Sequence, residues 1–124
     1  MARTVLIVDD SPTIRSFARI YLKALGVEVS EAADGLQALE LVRRAAPDVC
    51  VVDVDMPNMD GLTFIRELRK DPRLAKLPVV LLTGDRTPEA REQGRLAGAN
   101  DLVQKPIKGP ELQEMVKKYL ESAA

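Results

Sequence analysis

Val49-Cys50-Val51-Val52-Asp53-Val54-Asp55-Met56-Pro57-Asn58-Met59-Asp60-Gly61 divides into two halves of different chemistry. The first four residues are all apolar and mostly β-branched, the pattern of a strand covered on both faces. Asp53 ends the run, and Pro57 stops any regular continuation. Asp60 then reads as an N-cap, because Leu62, Ile65 and Leu68 follow at helical spacing. The stretch is therefore a buried strand, a loop and a helix. Val5-Leu6-Ile7-Val8 and Val79-Val80-Leu81-Leu82 repeat the buried-strand pattern on either side. Val27-Glu28-Val29-Ser30 alternates, as an edge strand does, and Asp101-Leu102-Val103-Gln104 reads as a short strand with polar ends.

Helical patterns separate these strands. Ile14, Phe17, Ala18, Tyr21, Leu22 and Leu25 form one apolar stripe behind Pro12, and Phe17 is expected in the core. Leu36, Leu39 and Val42 follow an N-cap at Asp34. Thr87-Pro88 opens a helix whose face is only Ala90, Gly94 and Ala97, so it should be the most weakly held. Leu112, Met115, Val116, Tyr119 and Leu120 follow Pro110, with Tyr119 expected to pack inward. Five strands alternating with five helices and short connections predict one α/β domain over residues 1–124, with parallel strands joined by right-handed crossovers.

Composition narrows the function. At 46% hydrophobic over 124 residues the chain can close a core without staples. A net charge of −1 supplies no overall field for nucleic acid or an anionic membrane. The single cysteine, Cys50, reads as a small buried apolar residue. With no histidine, a His-ligated zinc site and a Ser-His-Asp triad are excluded. The apolar run near the start is too short for a secretory core or a membrane span, which predicts a cytoplasmic protein.

Ligands of open parallel sheets bind beyond the carboxyl ends of the strands. Those ends carry Asp9-Asp10, Asp53, Thr83 and Gln104-Lys105-Pro106. Three carboxylates gathered there repel one another unless a cation compensates. Oxygen-only ligands without histidine or thiolate favour Mg2+, which readily shares a phosphate ligand. Lys105 suits an incoming anion, Thr83 offers it a hydroxyl, and Asp53 is placed to act as a carboxylate nucleophile toward phosphorus.

The Asp9-Asp10 pair, the run from Asp53 to Gly61, Thr83-Gly84 and Lys105-Pro106 together resemble a response-regulator receiver domain of the single-domain chemotaxis type, along the whole chain. The resemblance implies a flavodoxin-like, doubly wound five-stranded sheet in the order 2-1-3-4-5. It implies Asp53 as phosphoacceptor; Asp9, Asp10, Asp53 and the Asp55 backbone carbonyl as Mg2+ ligands; and Thr83 and Lys105 as phosphoryl-binding groups. Asp10 would ligate directly and Asp9 largely through water, with Gly84 leaving room for the phosphate. The partners implied are a sensor histidine kinase or phosphotransfer protein and a downstream target protein, for a monomer or weak dimer without nucleic-acid or membrane binding. Such a domain is a switch with self-catalysed phosphorylation and dephosphorylation, not an enzyme on a separate substrate. Two positions depart from the family pattern: Leu102 and Ile107 stand where aromatics are common, and Leu102 puts an aromatic switch in question.

Other readings fit less well. A phosphorylation-independent scaffold would keep the same pocket. A nucleotide second messenger would need Arg86, Arg91 and Arg95, yet Glu89 and Glu92 interleave them as on a solvated mixed-charge face. Asp53-Val54-Asp55 also resembles haloacid-dehalogenase phosphatases, which Pro57 and the Asp9-Asp10 pair do not suit. Pro57 also excludes a calcium loop.

Overall fold

The computed structural model describes residues 2–122. Strands β1 (Thr4–Val8), β2 (Glu28–Ala32), β3 (Val49–Asp53), β4 (Val79–Thr83) and β5 (Asp101–Gln104) alternate with helices α1 (Pro12–Lys23), α2 (Gly35–Arg44), α3 (Gly61–Lys70), α4 (Pro88–Ala97) and α5 (Gly109–Ser122). All neighbouring strands pair in parallel, in the order β2-β1-β3-β4-β5. This is the flavodoxin-like doubly wound fold expected.

Alternate residues of the central strands enter two separate cores. Leu6, Val8, Cys50, Val52 and Leu81 face α2, α3 and α4, where Phe64, Ile65 and Leu68 supply most of the bulk. Val5, Ile7, Val51, Val80 and Leu82 face α1 and α5, against Leu22, Leu112 and Val116. Residues 49 to 53 and 79 to 83 are buried throughout, whereas β2 alternates because it forms an edge. Asp34 caps α2 on the Gln37 N–H at 2.9 Å, and Asp60 caps α3 on the Thr63 N–H at 2.8 Å. Among the described residues no helix is long and apolar enough to cross a membrane.

Three expectations need correction. The edge strand spans residues 28 to 32, later than the alternation at 27 to 30 implied, because Arg3 and Thr4 set its register. Phe17 is 36% exposed and meets Tyr21 in a tilted contact with ring centroids 5.1 Å apart, so it belongs to the surface of α1. Leu36 is 52% exposed, and the inward positions of α2 are Ala38, Leu39 and Val42. Tyr119 does pack against the second core, and its hydroxyl donates to the Asp101 carboxylate at 3.1 Å.

Helix α4 buries only Gly94 and Ala97, as its small face implied. Its carboxyl end is nonetheless fixed. The Arg69 guanidinium donates to the carbonyls of Gly98, Leu74, Ala75 and Leu77 and to Asn100 Oδ1, all between 2.8 and 3.1 Å. Gly98 has φ 113° and lies so close under the Arg69 side chain that a Cβ would meet its Cγ at 2.7 Å. The amino end of α4, next to the β4–α4 loop, is held by its Thr87 cap, whose Oγ1 accepts from the Ala90 N–H at 3.2 Å, and has no such clasp among the described residues.

Candidate functional site

Parallel pairing brings the carboxyl ends of β1, β3, β4 and β5 to one edge of the sheet. Asp9 lies just beyond β1 and is fully buried; Asp53 closes β3 and Thr83 closes β4, each 5% exposed. Asp10 is exposed. One carboxylate oxygen from each of Asp9, Asp10 and Asp53 falls within 4.8 Å of the others. The Lys105 ammonium bridges two of them, 3.2 Å from Asp9 Oδ2 and 3.0 Å from Asp53 Oδ1. Its backbone N–H donates to the Thr83 carbonyl at 2.8 Å, which ties the lysine to the end of β4.

The remaining bonds orient this set. Asp9 Oδ1 accepts from the Ser11 N–H at 2.9 Å, and the Asp9 carbonyl accepts from Arg15 Nη1 at 2.6 Å. Arg15 is itself held by Glu31 on β2 at 3.0 Å. Thr83 Oγ1 accepts from the Asp85 N–H at 3.0 Å, which leaves its own hydroxyl hydrogen to donate. A Cβ built on Gly84 would meet nothing within 4 Å. The protein's own packing therefore does not require glycine there.

Burial raises the Asp53 carboxyl above the ordinary aspartate range, the Lys105 hydrogen bond opposes this, and the Asp9 charge adds to it. Lys105 is raised in turn: burial lowers it, but its bonds to Asp53 and Asp9 outweigh that. The folded protein thus holds a proton on Asp53 more tightly than the unfolded chain, whose aspartate titrates near 3.8. The contribution of Asp53 to stability is greatest below that pH and falls as pH rises through the window above it. In magnesium-free buffer, Asp53→Asn should therefore be more stable than the unsubstituted chain at neutral pH, with the gap closing toward pH 4. Urea unfolding of both across that range measures it; a gap independent of pH would contradict the ordering.

Sequence reading placed Asp9, Asp10, Asp53, Thr83 and Lys105 at one rim, and the structure brings them together there. Asp55 follows on the β3–α3 loop with its side chain exposed. Arg91 and Arg95 line a groove beside α4 rather than this rim, and Arg95 pairs with Glu92 at 2.6 Å. Leu102 lines a groove of about 170 Å3 with Leu81, Gly94, Arg91 and Arg95, and Ile107 packs against the second core. Two supports of the site carry no motif in the sequence: Arg15, which donates to the Asp9 carbonyl, and Asn58, whose partner Asp34 lies 24 residues away.

A parallel sheet in this order, with buried carboxylates held by one lysine at its rim, defines the regulatory domains of two-component signalling. The chain belongs to the response regulator receiver domain family, which matches residues 5–117. It is 38% identical over 118 residues to the sensor histidine kinase CheAY of Helicobacter pylori, covering 94% of this chain and 15% of that protein's length. The chemotaxis protein CheY4 of Vibrio cholerae superposes with a TM-score of 0.90 at 34% identity, over 96% of this chain and 99% of that one. The receiver domain of the sensor histidine kinase PA1611 of Pseudomonas aeruginosa gives 0.89 at 30% identity, over 98% and 99%, and carries a magnesium ion in its active-site cleft.

The donor set here suits the same class of ion. One ammonium pairs with two of the three clustered carboxylates, and every side-chain ligand available in the cluster is a hard oxygen.

Proposed function

We propose that this domain accepts a phosphoryl group on Asp53 from a phosphohistidine of a sensor kinase or phosphotransfer protein. The observation that carries the reading is Lys105 spanning Asp9 and Asp53 inside a three-carboxylate cluster. One Asp53 oxygen attacks phosphorus, the phosphorus–nitrogen bond breaks, and the imidazole leaves with the electron pair. Asp9, Asp10, Asp53 and the Asp55 carbonyl would hold Mg2+, which when bound offsets charge on the phosphoryl oxygens. Lys105 pairs with one phosphoryl oxygen and the Thr83 hydroxyl donates to another, both charge-assisted. Water later cleaves the acyl phosphate, so the modification is self-limiting. A cytoplasmic location and an effect on binding of a downstream protein complete the reading.

The signal leaves through the β4–α4 loop. Thr83 must turn its hydroxyl toward the phosphoryl group, and in the resting arrangement it is tied to Asp85. Beside it, Gln104 Oε1 is buried with no hydrogen-bond donor among the described residues, and its amide reaches the Asp85 carbonyl only at 3.5 Å. Leu102 follows by repacking and has no hydroxyl to hide or expose. Beryllofluoride with magnesium should therefore change amide exchange from Thr83 through the amino half of α4. The carboxyl end at Gly98, clasped by Arg69, should stay protected. Unchanged exchange in a chain that binds the mimic would replace the switch with a scaffold.

A further inference from the structure

We infer that Asp34 and Asn58 form a pin that positions the β3–α3 loop for metal binding, an inference that rests on the magnesium reading above. The loop carries Asp55 and is anchored at its ends by backbone bonds, Val54 N–H to the Leu82 carbonyl at 3.0 Å and Gly61 N–H to the Val54 carbonyl at 2.9 Å. Its middle crosses the start of α2. There the Met59 carbonyl accepts from the Gly35 N–H at 3.1 Å, and Asn58 Nδ2 donates to Asp34 Oδ2 at 2.8 Å.

Both oxygens of Asp34 are thereby used, one capping α2 on Gln37 and the other holding the loop. Asp34 is only 6% exposed, and both bonds hold its carboxyl below the ordinary range. The approach is close: a Cβ on Gly35 would meet the Met59 carbonyl oxygen at 2.7 Å. Asn58 has φ 67°, a left-handed conformation that asparagine tolerates better than most residues but that persists only where contacts enforce it. The Asp34 carboxylate is such a contact. Release it and Asn58 can leave the left-handed region, which redirects the chain three residues from the Asp55 carbonyl.

Groups that orient metal ligands typically change affinity by about 10-fold or more when removed. Magnesium titration of the whole chain, followed by amide chemical shifts, should show a loss of about 10-fold in two variants that cut the pin from opposite ends. Asn58→Gly keeps the left-handed backbone accessible but removes the donor. Asp34→Ser keeps a cap for α2 but removes the second oxygen. Their double variant should be no weaker than either alone. Asp34→Asn is the conservative rescue: its oxygen caps Gln37 and its amide meets a flipped Asn58 amide, so affinity should stay within about twofold of the original despite the lost charge.

Magnesium affinity unchanged in both cutting variants, whatever their thermal stability, overturns the pin. So does an Asp34→Asn chain as weak as Asp34→Ser, which would make charge the cause. If the original chain binds magnesium and Asp10→Asn weakens it while the cutting variants match the original, the pin alone fails. If the original chain binds none, the magnesium reading fails and the pin with it.

Discussion

Lys105→Met is expected to destabilise the magnesium-free protein by about 3 kcal/mol, the cost typical of leaving buried charge unpaired. Methionine reproduces the lysine stem as far as Cε, with sulfur in place of Cδ, and lacks the ammonium. Asp9 and Asp53 lose the cation between them, and both are almost wholly buried. Like charges at that spacing repel strongly where water cannot screen them. Magnesium should restore part of the loss, because the cluster would then recover a compensating cation. Denaturant unfolding with and without magnesium measures both effects. A stability within 0.5 kcal/mol of the original, the range of about ±0.5 kcal/mol usual for surface changes, would mean the carboxylates do not depend on Lys105.

Gly61→Ala should be as damaging for a different reason. The added Cβ would fall on the Asp53 carbonyl oxygen and within 3.1 Å of Val54 Cα. These are backbone atoms, so no rotamer change relieves the clash, and α3 must move away from β3. Overpacking costs about 1–3 kcal/mol, occasionally more, and a clash with backbone puts this case at the upper end. Gly84→Ala is the matched contrast. Its Cβ enters open space, so stability should stay within about 0.5 kcal/mol. Under the phosphoryl-transfer reading its effect falls on labelling by a small phosphodonor, which it should slow. Equal stabilities for the two alanine variants would contradict this account of the β3–α3 junction.

The fold was legible wherever burial is continuous. Three runs of four apolar residues can only be central strands in a chain this short, and the rim residues follow from where those runs stop. Strand order was not readable from periodicity and came from the family resemblance. Phe17 and Leu36 were misplaced because a helical stripe tells which side faces the sheet but not how wide the covered face is. Neighbouring Ala18 and Ala38 take the inward places instead. The supports of the site were invisible for another reason. Arg15 acts on a carbonyl, which no side-chain motif records, and Asn58 meets Asp34 across 24 residues of sequence. Arg69 likewise looks like an ordinary basic residue at a helix end, yet it serves five oxygen atoms contributed by two loops.

The proposed function stands or falls on whether Asp53 carries the phosphoryl group. Incubating the chain with a small phosphodonor and magnesium, then measuring intact mass and mapping the modified peptide, tests it directly. One acid-stable, base-labile phosphoryl group is expected on Asp53, formed only with magnesium and absent from Asp53→Asn. Full labelling of Asp53→Asn, or a phosphoryl group mapped to another residue of the original chain, would contradict it.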